Sequence, residues 1–249
     1  MNSTKFSAVI ITLNEAEVIA DTLSGVLQLA DEVIVVDSGS TDDTRTIAEN
    51  MGARVVLTEW KGYSATKNYG ISLTSNDWIF CFDADEQADS ELIQSIKTIN
   101  PKSGNVYLMN RLTRFEGKAV KHGSWHPDWV VRLFNKQECH WNKSLVHESL
   151  EPLRDKKKVK LNGYLNHKSV NSQEEFDDKI DLYGRLKAQQ WILNGNKPTL
   201  IKKIIGPQIR FFTSYVIKLG FLDGSLGYRI AKGEADLIRK QLFYYQQLK

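Results

Sequence analysis

The chain has 249 residues, of which 41% are hydrophobic and 25% charged, an ordinary composition for a soluble globular fold with an ample core. Its mild net charge of +3 gives no reason to expect a nucleic-acid partner. The charge is uneven, however: residues 196–249 carry 10 Lys and Arg against 3 Asp and Glu, leaving about −4 on residues 1–195, so the tail is expected to meet a surface partner.

Residues 1–5 lead directly into a strand-like segment over 6–13 with no small-residue cleavage site behind it, so no signal peptide is expected. Helical spacing follows through Val18, Ile19, Leu23, Val26 and Leu27. Residues 33–36 read as a short strand followed by Asp37-Ser38-Gly39-Ser40-Thr41-Asp42, and residues 42–51 as a helix stopped by Gly52. Strands over 54–57 and 78–82 alternate with helices over 64–73 and 90–99. Such alternation predicts an α/β fold with a mostly parallel, Rossmann-like sheet covered by helices on both faces.

After Pro101 the rhythm changes. Residues 106–109 resemble a strand, and 111–142 are rich in Trp, His, Arg and Gly without clear period, as binding loops or lids are. Helices are expected over 174–193, over 198–219 and from about Gly227. The expected organisation is a domain over 1–170, divided into halves 1–100 and 101–170, with an amphipathic helical region over 171–249. Cys81 and Cys139 are the only cysteines and form no CxxC, which excludes a disulfide framework and favours the reducing cytoplasm. No window approaches about 18 uninterrupted apolar residues, so no transmembrane span is expected.

The most informative residues are Asp83-Ala84-Asp85, which follow the apolar run Trp78-Ile79-Phe80-Cys81-Phe82. Two carboxylates at the end of a buried strand are costly unless something positive shares the site. A divalent metal holding a diphosphate fits, because Mg²⁺ takes one or two protein carboxylates beside phosphate oxygens. Ligands of open parallel sheets bind beyond the carboxyl ends of the strands, where Thr12-Leu13-Asn14-Glu15 and Asp37 also fall. Each acid has a plainer reading as a helix cap or first-turn acid. No GxGxxG follows the first strand and no GxxxxGK[ST] occurs, so phosphate charge must be met by metal and basic side chains. Lys67 is one such cation, or else a solvated helix lysine.

In this order, Ile10-Ile11-Thr12-Leu13-Asn14-Glu15, Val35-Val36-Asp37-Ser38-Gly39-Ser40-Thr41-Asp42-Asp43-Thr44, Lys67-Asn68-Tyr69-Gly70 and Phe82-Asp83-Ala84-Asp85-Glu86 resemble family 2 glycosyltransferases with the GT-A fold. The likeness covers roughly the first hundred residues. Arg132-Leu133-Phe134, Val146-His147-Glu148, Asn166-His167 and Gly220-Phe221-Leu222-Asp223-Gly224 are similar to the branch that builds lipopolysaccharide inner core, the WaaE/KdtX-type β-1,4-glucosyltransferases. Many relatives have a second acid after Asp37; this branch commonly has Ser, as here at Ser38.

The resemblance implies an inverting, Mg²⁺- or Mn²⁺-dependent hexosyl transfer, with 1–100 as the nucleotide-sugar half and 101–170 as the acceptor half. It implies that Thr12, Glu15 and Asp37 hold the uridine of a UDP-sugar, with UDP-glucose the expected donor, and that Asp83 and Asp85 address ribose and metal, Asp85 more directly. His167 is the further metal ligand, with His147 second, though a lone histidine also serves structure. The base is Glu148, with Asp128 as the alternative. Trp125, His126 and Trp129 are placed to stack on sugars, and Arg132 to meet an acidic group of the acceptor or to pack against the domain.

The basic tail suits the anionic inner face of the cytoplasmic membrane, which would make the enzyme cytoplasmic and peripheral and bring it to a lipid A-core acceptor. Packing on the domain or on a second subunit is the other reading. A haloacid-type phosphatase places its Asp-x-Asp on the first strand, not the fourth, so that class fits poorly. A transferase of another envelope glycan, or a non-catalytic nucleotide-sugar binder, stays open.

Overall fold

A computed structural model describes residues 4–142, 149–152 and 155–249. The elements run β1 (Phe6–Thr12), α1 (Ile19–Val26), β2 (Glu32–Asp37), α2 (Thr44–Asn50), β3 (Arg54–Leu57), α3 (Tyr63–Ser72), β4 (Trp78–Asp83), β5 (Glu86–Ala88), α4 (Ser90–Lys97), β6 (Asn105–Phe115) and β7 (Lys118–Ala119). They continue with β8 (Asp128–Asn135), β9 (His140–Trp141), β10 (Leu150–Glu151), β11 (Lys157–Val170), α5 (Gln173–Leu193), α6 (Leu200–Phe212) and α7 (Gly224–Gln247).

The main sheet has the order β3-β2-β1-β4-β8-β6-β11-β5, with β7 beside β6. Strands β3, β2, β1 and β4 are parallel, as the alternation predicts, whereas β8 pairs antiparallel with both β4 and β6. The sheet is therefore mixed, a GT-A, Rossmann-like architecture. Alternation along β1 fills both faces: Ala8 and Ile10 pack with Leu23, Val35, Phe80 and Leu92, while Val9 and Ile11 pack with Ile34, Val36, Ile71 and Ile79. Burial on both faces is why these strands read as continuous apolar runs.

Helix α3 lies on the second of these faces through Gly70. A Cβ there would stand 2.5 Å from Val9 Cγ1 and 2.7 Å from Val36 Cγ2. Alanine gains about 1 kcal/mol over glycine in a helix, but overpacking a core costs about 1–3 kcal/mol. Gly70→Ala is expected to lower the urea midpoint; a raised midpoint would show that α3 lifts off the sheet at no cost.

Two compact units are present, Met1–Arg111 with Asp128–His167, and Leu112–Pro127 with Lys168–Lys249. Residues 112–127 thus join the C-terminal residues 168–249 in the second unit. The stretch 111–142, read as irregular, contains β8 and the end of β6. Its apolar pattern is interrupted because Arg132 is buried inside β8.

In the second unit, Phe115, Val120, Val170, Phe176, Ile180, Leu226 and Ile230 form the core. Helix α5 begins with a side-chain cap: Ser172 Oγ accepts from Glu175 N at 3.1 Å, while Glu175 Oε2 reaches past the cap to accept from Asn171 N at 2.7 Å. The turn Gly220-Phe221-Leu222-Asp223-Gly224 is built for packing. Asp223 Oδ2 accepts from Lys121 N and His122 N, both at 2.9 Å, and Oδ1 lies 2.7 Å from His122 Nδ1.

Candidate active site

Strand register assembles one polar rim. Thr12 pairs with Asp37 across β1 and β2, and Ile11 pairs with Asp83 across β1 and β4, so three strand ends deliver their polar residues side by side. Asp37 is fully buried. Its Oδ1 accepts from Gly39 N at 3.0 Å and Ser40 N at 2.8 Å, and its Oδ2 accepts from Ser40 Oγ. Gly39 takes φ +100°, the left-handed conformation that lets these two N–H groups turn back onto the carboxylate.

The loop after β1 is tied to the loop after β2. Asn14 N donates to Ser40 Oγ at 2.8 Å, Thr41 N to Asn14 Oδ1 at 2.8 Å, and Glu15 N to Thr44 Oγ1 at 2.8 Å. Glu15 also supplies the carbonyl that accepts from Ile19 N, so its backbone starts α1 while its side chain is left half-buried at the rim. Thr12 Oγ1 and Ser38 Oγ are buried there without a hydrogen-bond partner among the described residues. Buried hydroxyls of that kind call for a polar guest.

Asp83 and Asp85 face different partners. Asp83 Oδ1 lies 2.9 Å from Lys67 Nζ, and Oδ2 accepts from Arg132 Nη2 at 2.6 Å. Burial alone would raise the Asp83 pKa, but Arg132 and Lys67 outweigh it and hold the carboxyl far below the usual range. Both Asp83 oxygens are engaged by cations, which fixes this carboxylate on the rim beside Asp85, the residue with which it is expected to share ribose and metal. Lys67 is fully buried, not a solvated helix lysine, and its ammonium sits 4.7 Å from the centroid of the Trp141 ring.

Asp85 instead meets His167. Strand β5 pairs antiparallel with β11 and sets His167 opposite Glu86, one residue from Asp85, so that His167 Nε2 lies 3.1 Å from Asp85 Oδ2. A carboxylate oxygen and an imidazole nitrogen, both partly exposed, form a two-ligand edge. Among the described residues no set of three or more His, Cys, Asp or Glu converges on a metal position. The pair still suits an ion that keeps most of its sphere for waters and phosphate oxygens, as Mg²⁺ does.

Beside this edge lies a charge chain that sequence reading missed. Arg132 is 4% exposed and grips Glu86 with two bonds, Nε to Oε2 at 2.7 Å and Nη2 to Oε1 at 2.6 Å. Glu86 is fully buried and also accepts from Asp83 N at 3.1 Å. Arg111 lies 3.4 Å from Glu86 Oε1 and donates to Asp128 Oδ2 at 2.8 Å. Lys67, Asp83, Arg132, Glu86, Arg111 and Asp128 thus alternate in sign. Arg132 thus packs inside the domain, the second of the two roles expected for it.

A cavity of about 310 Å³ opens on this chain, lined by Asp83, Arg111, Trp129, Arg132, Trp141 and Ser149 among others. Trp129 presents one face to Lys160 Nζ at 4.3 Å. Asn68 fixes the opposite wall by donating from Nδ2 to Trp141 O at 2.8 Å and accepting from Trp141 N at 3.0 Å. Asn142 N donates to Ser149 O at 2.9 Å. Glu148 and His147 lie outside the described residues; Ser149, which follows Glu148, lines the cavity. Trp125 and His126 belong to the second unit. Trp125 packs there against Phe115 and Phe176, with centroids at 6.3 and 5.5 Å, and is only partly buried.

Parallel strands ending in polar residues on one rim, continued by an antiparallel half that returns a histidine to the second aspartate, define a GT-A transferase. The family description "Glycosyl transferase family 2" matches residues 7–154. An uncharacterized glycosyltransferase of Rickettsia bellii is 33% identical over 235 residues, covering 90% of this chain and 80% of the relative. The chain belongs to glycosyltransferase family 2 and is a transferase. It is also 26% identical over 217 residues to the lipopolysaccharide core biosynthesis glycosyltransferase LpsC of Rhizobium meliloti, covering 84% and 80% of the two chains. Among solved structures, a Mycobacterium tuberculosis glucosyl-3-phosphoglycerate synthase complex with Mn²⁺ and UDP matches with TM-score 0.36 and 28% identity, over 45% of this chain. The present chain spans 44% of the length of that structure.

Proposed function

We propose that the enzyme transfers a hexose, glucose from UDP-glucose in the first instance, with inversion onto a heptose of the lipopolysaccharide inner core. The observation that carries the reading is the contact of Asp85 with His167 beside the rim formed by Thr12, Asp37 and Asp83. Family membership supports sugar transfer, and the similarity to LpsC supports a lipopolysaccharide core acceptor.

In this reading Asp37 and the free hydroxyls of Thr12 and Ser38 receive the uridine, with Glu15 beside them. Asp83, immobilised by Lys67 and Arg132, accepts from a ribose hydroxyl. Lys67 acts on the diphosphate indirectly, by keeping Asp83 ionised and in place. Asp85 and His167 would hold Mg²⁺ or Mn²⁺, which when bound neutralises the leaving diphosphate. Glu148 takes the proton of the acceptor hydroxyl, the role that the family resemblance implies for it. Asp128 is the second choice because Arg111 already engages it. Trp129 offers its remaining face to a sugar. The acceptor is lipid-linked, which places the enzyme peripherally on the inner face of the cytoplasmic membrane, as a monomer or homo-oligomer.

Incubation with heptose-containing core acceptor and a panel of UDP- and other nucleotide-sugars, with product mass and linkage determined, tests the reading. One hexose added from UDP-glucose in a β linkage is expected, dependent on divalent ion. Transfer from another donor favours a different envelope glycan; binding of UDP-sugar with no transfer to any acceptor leaves a non-catalytic binder.

A further inference from the structure

Helix α6 is amphipathic, but it is mounted inside out. Its inner side packs on α7 through Pro207, which is buried, and through the Arg210 ion pair with Glu234 at 2.7 Å. Lys202 turns inward over the Trp191 ring at 4.4 Å. The apolar residues face outward: Leu200, Ile201, Ile204, Ile205, Ile209 and Phe212 are each at least 45% exposed. Val216, Ile217, Leu219, Phe221 and Leu222 continue the exposed series through the turns that follow. A water-facing helix ordinarily puts that stripe on the core, and a contiguous apolar surface of this size marks a docking face.

The charge around the patch selects the occupant. No Asp or Glu occurs from residue 182 to residue 222, whereas Arg185, Lys187, Lys197, Lys202, Lys203, Arg210 and Lys218 all fall in that span. A second copy docked by two-fold symmetry would oppose the same cations across the contact, which is unfavourable. An anionic, water-excluding surface satisfies both features at once. No described helix is long and apolar enough to cross a membrane, so the helix would lie in the interface plane and not span it.

We propose that α6 and the segment to Leu222 form a bilayer-insertion face, with Ile201, Ile204, Ile205 and Phe212 entering the acyl boundary and Lys203 and Lys218 meeting anionic headgroups. This names the element behind the peripheral attachment proposed above, but it rests on exposure and charge alone and holds whatever sugar is transferred.

Co-sedimentation of the full chain with phosphatidylglycerol-containing and with pure phosphatidylcholine vesicles, without donor or acceptor, reads the face directly. Binding is expected only to the anionic vesicles and to weaken with salt. Ile204→Glu with Ile205→Glu should reduce it at least tenfold, and Lys203→Glu with Lys218→Glu about tenfold or more, each lysine near an anionic surface being worth about 1 kcal/mol. An Ile204→Trp variant should emit at shorter wavelength on binding and be quenched by brominated acyl chains. All these positions are exposed, so turnover of a soluble acceptor fragment should be unchanged. Wild-type protein left in the supernatant, or binding indifferent to the Ile→Glu pair, overturns the proposal. So does a dimer in solution that the Ile→Glu pair dissolves while vesicles capture nothing, which assigns the face to a second copy.

Discussion

Arg132→Met should be among the most destabilising single substitutions in the first unit, lowering the free energy of unfolding by about 3–5 kcal/mol. The side chain is 4% exposed and is the only element of the alternating chain that touches both Glu86 and Asp83. Removing it leaves Glu86, itself fully buried, with the Asp83 N–H and, as its one remaining cation among the described residues, Arg111 at 3.4 Å. A buried charge stripped of its main partner costs far more than the intact pair contributes. Denaturant unfolding of the variant gives the loss directly, and Arg132→Met with Glu86→Leu should recover part of it, because the uncompensated carboxylate is then gone. A single variant within 1 kcal/mol of wild type, to use the scale of an ordinary surface change, would mean that water enters and solvates Glu86.

The same substitution should alter acid stability. Asp83 has a folded pKa held far below its unfolded value, so its contribution is fully present above the ordinary carboxylate range and is lost as pH falls through that range toward the folded value. Taking away Arg132 leaves Lys67 and, with a smaller effect, Arg111 acting on Asp83, and lets the folded pKa rise. The variant's stability should therefore depend less on pH below about 4 than that of the wild type. An unchanged slope there would detach Asp83 from Arg132.

These residues also show where sequence stops being informative. The first hundred residues alternate two strong periodicities, so the parallel strands and their rim of Thr12, Asp37 and Asp83 were legible before any fold was known. Nearness of Asp85 to His167 was suggested by family resemblance, not by spacing, because it depends on β5, a strand of three residues that no pattern announces. The charge chain was illegible for a similar reason. Arg111, Asp128 and Arg132 are brought together by the antiparallel pairing of β6 with β8, which sets Arg111 against Asp128, and Glu86 reaches them from β5. A single arginine inside β8 made a buried strand look like a loop. Lys67 was ambiguous because a buried and a solvated lysine look alike until the facing Asp83 is placed. The packing of Trp125 on Phe115 and Phe176 was not legible, because a run of Trp and His carries no period that marks a core. The polarity of α6 was visible as a pattern, but which face turned outward depended on α7.

Asp85→Asn is expected to lower kcat by about 10²–10⁴-fold, since a metal's stabilisation of a leaving group is worth several kcal/mol and each 1.36 kcal/mol is a factor of ten. The substitution keeps the size of the side chain and a hydrogen-bonding oxygen toward His167, but removes the charge that a hard cation requires. Asp85 is about a quarter exposed and stands outside the Arg132 network, so thermal stability should change little. That separates it from Asp83→Asn, which would disturb folding and chemistry together. Apparent Mn²⁺ affinity, measured by titrating activity, should weaken at least tenfold, while calorimetric binding of UDP in chelator should be unaffected because Asp37 and Thr12 are untouched. If turnover and divalent-ion dependence survive the substitution, the Asp85–His167 contact is structural, and the leaving diphosphate must be neutralised by cationic side chains. Lys67 and Arg132 are already committed to Asp83, so such a result would require an exposed cation elsewhere on the rim and would move the reaction centre away from the fourth strand.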